Sequence, residues 1–213
     1  YQFRTTLKEE SQLDMIKKLE LNQTDHFSLT KACKEYNLEF LSSPFDLESV
    51  TFLSEELRVS RFKIPSGEIT NAPLLLKAAK TKKPIILSTG MCTIADIEIA
   101  LGVIAFGYLE LEKSPSIENF HKAYISQEGQ IKLKENVTLL HCTTEYPSPY
   151  SSINLRVMDT LKGAFGLEVG LSDHTSSNIT SVAAIALGAI AIEKHFTLSK
   201  KLPGIDQMAS LEP

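Results

Sequence analysis

Cysteine is scarce in this sequence, three in 213 residues, and Cys33, Cys92 and Cys142 stand far apart with no CxxC spacing. An odd, scattered set of this kind excludes a disulfide framework or a Cys-rich zinc site and points to a reducing compartment. No apolar run reaches the roughly 18 residues of a membrane span. The opening Tyr1-Gln2-Phe3-Arg4-Thr5 lacks the basic and then apolar regions of a secretory signal, so the cytoplasm is the expected location. Basic charge is not in excess either: 22 Lys and Arg face 26 Asp and Glu, for a net charge of -4. With Lys and Arg evenly scattered there is no clustered basic face for nucleic acid, and a phosphate-bearing substrate must be held by local groups. Absent too are the GxGxxG and GxxxxGK[ST] loops that a doubly wound nucleotide-binding sheet would want after its first strand.

What remains is a chain with 43% hydrophobic and 23% charged residues, enough to bury one substantial core. Short apolar runs flanked by turn residues alternate with helical patterns, which predicts βα units around a parallel sheet. Predicted strands are Leu38 to Phe45, Arg61 to Glu68, Pro84 to Gly90, Val137 to Thr144, Glu168 to His174 and Ala189 to Phe196. Between them Leu47 to Leu57, Pro73 to Lys80, Thr93 to Phe106, Leu155 to Phe165 and Ile179 to Leu187 carry helical spacing. Thr93 with Asp96 reads as a capping box, Asn71 and Pro73 open one helix, and Gly188 follows the end of another.

The first 37 residues carry two helical patterns, Lys8 to Leu21 and Asp25 to Tyr36, and no strand. The wide gap between the third and fourth strands, from about 108 to 136, is polar and mixed and reads as an insertion. Eight βα units take about 250 residues, so this pattern predicts an α/β chain forming a TIM (β/α)8 barrel that is incomplete. Its first two strands and last helix are the parts expected to be missing from a single partial domain over residues 1–213.

In parallel barrels the working residues sit where strands end and loops begin. Those positions are unusually polar here: Ser42-Ser43-Pro44-Phe45-Asp46, Lys63-Ile64-Pro65-Ser66-Gly67-Glu68, Ser88-Thr89-Gly90, His141 to Pro147, Ser172-Asp173-His174-Thr175, and Glu193-Lys194-His195-Phe196-Thr197. Taken singly, a Ser, Asp or Thr after a strand is more often the cap of the next helix. Convergence of six such ends at one mouth changes that balance. His174 and His195 end neighbouring strands, spaced about 4.8 Å apart in a sheet, and can face one ion. The period of two places Glu193 on the face of His195, where it could orient the imidazole, and Ser172 on that of His174. Two His with oxygen ligands suit Mn²⁺ or a similar octahedral ion better than a closed zinc site. Lys63 with Ser66, Ser88 and Ser172 offers a point charge and hydroxyls to a phosphate, although a strand-end lysine can also simply lie along the surface. Lys194 is expected to face the helices, Cys142 to pack in the barrel, His141 to lie on the opposite face, and His26 and His121 to face solvent.

At these residues the sequence resembles the sialic acid synthase family, the N-acetylneuraminate, legionaminate and pseudaminate synthases. The matching stretches are Phe40-Leu-Ser-Ser-Pro-Phe-Asp46, Phe62-Lys-Ile-Pro-Ser-Gly-Glu68, Pro84-Ile-Ile-Leu-Ser-Thr-Gly-Met91, Leu140-His-Cys-Thr-Thr-Glu-Tyr-Pro147, Gly170-Leu-Ser-Asp-His-Thr175, Glu193-Lys-His-Phe-Thr197 and Pro203 to Pro213. The resemblance implies a metal-dependent, aldol-like condensation of phosphoenolpyruvate with N-acetylmannosamine or a related N-acylated aminosugar, releasing phosphate. It implies that Lys63, Ser66, Ser88 and Ser172, with Ser43 nearby, contact phosphoenolpyruvate, that His174 and His195 bind a divalent metal, usually Mn²⁺, and that Glu68, Tyr146 and Asp206 face the sugar. Thr144 stands where some members carry an asparagine, and Ile205 replaces a proline common before the position of Asp206. A homodimer is implied for a full-length member, whose C-terminal antifreeze-like domain has no counterpart here. Two other readings are another metal-dependent barrel aldolase or hydrolase, which would not need the Lys63 cradle, and a non-catalytic barrel fragment.

Overall fold

A computed structural model describes residues 17–109 and 113–213. The predicted helix Lys8 to Leu21 falls largely outside the described residues. The first described helix, α1 (Gln23–Glu35), starts two residues before the predicted one because Asn22 forms a reciprocal capping box with Asp25. Helix α2 (Leu47–Thr51) is capped by Asp46, which accepts from the Ser49 amide at 2.7 Å. It runs on into a wider π-type turn over Phe52–Glu56.

Then follow β1 (Phe62–Ile64), α3 (Ala72–Lys80), β2 (Ile85–Ser88), α4 (Ile94–Leu109), α5 (Ile117–Ile125), α6 (Gln127–Asn136), β3 (Val137–Cys142), α7 (Val157–Phe165), β4 (Glu168–Asp173), α8 (Ile179–Ala186) and β5 (Ile192–Lys194). The strands pair in parallel in the order β1-β2-β3-β4-β5. This is an α/β fold built on a five-stranded parallel half-barrel.

Six strands were expected, and the segment Leu38 to Phe45 departs from that reading. It has no regular secondary structure and joins no strand of the sheet. Its link to the start of β1 runs through side chains, with Glu39 accepting from Ser60 and from Arg61 Nε, the latter at 2.9 Å. Its residue pattern is that of a strand, but β propensity is realised only where a neighbouring ladder accepts the backbone. β1 is also shorter than predicted. Pro65 has no N–H to give to a ladder, and Ser66–Glu68 curl into a 3₁₀ turn behind it.

The polar stretch read as an insertion is ordered structure on its described part. Ser116 and Ser126 cap α5 and α6, and both helices pack on α4. That explains why α4 is apolar nearly all round: it is buried against α3 on one flank and against α5 and α6 on another. Phe106 of α4 meets Phe120 of α5 edge to face, with centroids 5.2 Å apart. The expected caps Thr93–Asp96 and Asn71 are formed, and Gly188 has φ +94° after α8.

Strand pleating separates two faces. Phe62, Ile64, Ile85, Leu87, Val137, Leu139, Val169 and Leu171 point into one core with the helices. Lys63, Ser88, Cys142, Ser172 and Glu193 alternate with residues of that set and take the other face.

Candidate active site at the strand ends

That second face opens at the C-terminal ends of the strands on a cavity of about 510 Å³. Among the predicted residues, Ser43, Lys63, Ser66, Ser88, Thr144, Tyr146, Ser172, His174 and His195 line it. Glu68 and Asp206 do not. Glu68 sits on the 3₁₀ turn with its carboxylate accepting from Asn71 Nδ2 at 2.7 Å. Asp206 lies behind His195, with Oδ2 3.7 Å from Nδ1, beyond hydrogen-bond reach. A second cavity of about 440 Å³ lies between α1 and α2 and shares only Ser43 with the first. Its charged groups are Glu20, Asp46 and Glu48, with no lysine or arginine, so it is poorly suited to a phosphate.

Lys63 and Glu193 define how strongly the sheet curves. β1 and β5 are its two edges, yet Lys63 Nζ lies 3.2 Å from Glu193 Oε2. Side chains from opposite ends of the sheet can meet only if the sheet is rolled toward closure, as in a barrel. Lys63 is 8% exposed, so its ammonium sits inside the mouth rather than lying along the surface.

Glu193 also corrects the sequence reading. It was expected to orient His195, but its carboxylate accepts from Ser172 at 2.6 Å and pairs with Lys63. The reason is register: Ser172 and Glu193 are directly opposed on β4 and β5, whereas His195 lies beyond the last ladder position. Glu193 is therefore a member of this constellation that the sequence reading left out of the phosphate cradle. Its strand alternation was the available signal, but the choice of partner needed the curvature.

His174 is oriented by its neighbours. Burial pushes its pKa below the usual 6.5, and the nearby His195 ring pushes the same way, although the Thr143 carbonyl opposes them. The neutral ring donates from Nδ1 to Thr143 O at 2.7 Å, since a carbonyl can only accept. Ser172 Oγ stands 3.3 Å from Nε2. Its single proton is already given to Glu193, so the Nε2 lone pair remains uncommitted and faces the cavity. The His195 ring is 5.3 Å away centroid to centroid, tilted by 54°, and the Tyr146 ring lies 4.0 Å from His174 and 5.5 Å from His195.

Serines line the cavity, and Gly90 packs behind two of its wall residues. Gly90 N donates to Ser66 Oγ at 2.9 Å, and a Cβ at Gly90 would fall 2.8 Å from Thr144 Cγ2, so this close approach requires glycine. Ser88 Oγ is buried with no hydrogen-bond partner among the described residues. Such an orphan is uncommon in a folded protein and leaves this hydroxyl with hydrogen-bonding capacity to offer a polar group that reaches it.

On the helix side, His141 Nε2 donates to the Ile153 carbonyl, and burial lowers its pKa as well. Cys142 lines the cavity, and burial raises its thiol pKa. Lys194, expected to face the helices, turns its ammonium to Asp173 and the Thr175 carbonyl, but the residue also borders the cavity. His121 is exposed, but His26 is half-buried, ringed edge to face by Phe40 and Phe52 and bonded to Asn22 O at 2.9 Å.

A divalent cation was expected at the histidine pair. Among the described residues no three His, Cys, Asp or Glu side chains gather to cage a metal ion. Two neutral-capable imidazoles, one with a bare lone pair, nevertheless fit an open site completed by oxygen donors from substrate and water.

A rolled parallel sheet with a lysine, serines and two imidazoles converging at its C-terminal mouth defines an α/β-barrel of the kind that carries its ligand site at the strand ends. The profile of the NeuB family matches residues 1–213, and the chain belongs to that family. It is 51% identical over 213 residues to the N,N'-diacetyllegionaminic acid synthase of Campylobacter jejuni, covering all of this chain and 57% of that protein. The corresponding synthase of Legionella pneumophila is 39% identical over the same span, 54% of its own length. The chain thus spans a little over half the length of these curated relatives. Among solved structures, the N-acetylneuraminic acid synthetase of Leptospira borgpetersenii superposes with a TM-score of 0.76 at 30% identity, over 93% of this chain and 60% of that one. A truncated 3-deoxy-D-arabino-heptulosonate 7-phosphate synthase of Thermotoga maritima, at 17% identity and a TM-score of 0.62, shares the fold.

Proposed function

We propose that this chain carries the strand-end site of a sialic-acid-type synthase, which condenses phosphoenolpyruvate with an N-acylated aminosugar and releases phosphate. The observation that carries the reading is the buried, unpartnered Ser88 hydroxyl beside buried Lys63, in a cavity that also holds an uncommitted imidazole lone pair. An anionic ligand supplies what Ser88 lacks and gives Lys63 a second counter-ion beside Glu193. The two relatives that make N,N'-diacetyllegionaminic acid favour a sugar bearing two acetamido groups over a mono-acetylated one.

In this reading Lys63, Ser66, Ser88 and Ser172 hold the phosphate and carboxylate of phosphoenolpyruvate, with Ser43 and Thr144 at the edge. His174 and His195 would hold a divalent cation, Mn²⁺ by the family resemblance, whose contribution when bound is to polarise the sugar aldehyde oxygen. Thr143 O keeps the His174 proton on Nδ1 so that Nε2 stays available. Tyr146, stacked near both rings, forms the wall against which the sugar lies. The enol C3 of phosphoenolpyruvate bonds to the aldehyde carbon, and the aldehyde oxygen takes a proton; Asp206, beside His195, is better placed to supply it than Glu68, which is tied to Asn71. Water then adds at C2, and collapse of that centre breaks the C–O bond, giving inorganic phosphate and the chain-extended keto acid.

The test is product mass and phosphate release when the full-length protein containing this chain is incubated with phosphoenolpyruvate, Mn²⁺ and mono- and di-N-acetylated hexosamines. Phosphate release that requires both substrates, and falls at least about 100-fold in His174→Ala and His195→Ala, is expected. Phosphate release indifferent to the sugar, or undiminished by Lys63→Ala, sinks the reading.

A further inference from the structure

Behind the two imidazoles, on the helix side of the sheet, lies a second ion pair with no counterpart in the sequence reading. Asp173 and Lys194 are directly opposed on β4 and β5. Each immediately precedes a histidine of the pair. Their side chains meet with Lys194 Nζ 3.3 Å from Asp173 Oδ1, at 10% and 0% side-chain exposure.

The backbone bonds this pair makes from its side chains fall on the turn that carries His174, and one further bond ties it to α8. Asp173 Oδ1 accepts from the Thr175 amide at 2.8 Å, and Oδ2 accepts from Ser181 Oγ of α8 at 2.6 Å. Lys194 donates to the Thr175 carbonyl. Thr175 is thus held at its N–H by the anion and at its C=O by the cation, and His174 is bracketed between Asp173 and this clamped residue. The same lysine belongs to the strand that leads into His195, whose carbonyl is in turn tied to Leu211 N at 2.8 Å.

We propose that Asp173 and Lys194 are positioning residues that set the separation and ring orientation of His174 and His195. A pair built only for stability would have no need to spend its bonds on the backbone of one residue. Here the two backbone bonds hold Thr175 on both of its sides, so loosening them slackens the turn directly after His174 and with it the Nδ1 bond to Thr143 O. The proposal deepens the reading of the two imidazoles as cation ligands and rests on it for its functional meaning, but its geometric content stands without a cation.

The experiment uses the full-length protein, ¹⁵N-histidine labelled, as wild type, Asp173→Asn and Ser181→Ala. The serine variant removes one bond to Asp173 without stranding a charge, and so covers the case in which Asp173→Asn does not fold. Imidazole ¹⁵N spectra without added metal should show His174 in a single Nδ1–H tautomer in wild type and in exchange between tautomers in the folded variants. Dissociation constants for MnCl₂ alone, measured by titration calorimetry, should rise about tenfold in Asp173→Asn and about threefold in Ser181→Ala. A single unperturbed tautomer in every folded variant overturns the proposal, and so does an unchanged Mn²⁺ affinity where wild type binds the ion. Failure of wild type to bind Mn²⁺ counts against the cation reading instead, while the tautomer spectra still decide whether the pair positions the ring.

Discussion

Two ion pairs meet on β5, one on each face of the sheet: Lys194 with Asp173 of the neighbouring β4, and Glu193 with Lys63 of β1 across the mouth; the two are built differently. On the helix face, the Asp173 carboxylate is fully enclosed and satisfied by Thr175, Ser181 and Lys194. On the cavity face, Lys63 is equally enclosed, but the Glu193 side chain is 40% exposed and shares its oxygens between Lys63 and Ser172. The same lysine–carboxylate chemistry at two consecutive residues of β5 therefore yields a closed clamp on one side and an exchangeable counter-ion on the other. The difference lies in what surrounds each carboxylate: α8 and a tight turn close over Asp173, whereas the rolled mouth leaves Glu193 open to a ligand.

If that contrast is right, the helix face should dominate stability and the cavity face should contribute little. The largest effect is expected for Leu139→Ala, at a fully buried position on the helix face of β3: about 2–5 kcal/mol lost in chemical denaturation. A loss near zero would mean that this face is not the core. A smaller effect is expected from pH, to which both faces contribute through a buried imidazole. His141 and His174 both titrate below the ordinary 6.5 because of burial. The unfolded chain therefore takes up their protons first, so their contribution is intact above the unfolded value and is lost as pH falls below it. Lowering pH from about 7.5 to 5.5 should lower the unfolding free energy, and the slope should shrink in His141→Asn. Stability that rises over that interval would contradict the burial of both rings. The smallest effect is expected for Lys63→Met. It leaves a carboxylate that solvent can reach, so the unfolding free energy should stay within about 1 kcal/mol of wild type while inorganic phosphate binding is lost. A severe loss of stability would show that the Lys63–Glu193 pair is a structural clamp like its neighbour.

Much of this site was legible in the sequence because strand ends announce themselves. Polar residues after apolar runs marked Lys63, Ser66, Ser88, Ser172, His174 and His195, and the structure places all of them on one cavity. The resemblance to sialic acid synthases is matched by the family to which the chain belongs. The segment Leu38 to Phe45 misled because its residues fit a pleated surface while pairing depends on a neighbour that no local pattern reveals. The region from about 108 to 136 reads as polar because α5 and α6 bury few residues, Ala123 in α5 and Gly129 and Leu133 in α6. Glu193 was assigned the wrong partner for a related reason: alternation gives the face of a residue, but not what approaches that face from across the barrel.

The sequence by itself determined the alternation of βα units, the polar strand ends and the caps, since these follow from periods of two and 3.6 and from local hydrogen bonding. Only the tertiary structure decided which carboxylate meets Lys63, which histidine nitrogen is free, and that Asp173 and Lys194 close behind the imidazoles. Those outcomes depend on strand register and on the curvature of the sheet, which bring together residues far apart in the chain through packing that no local pattern encodes.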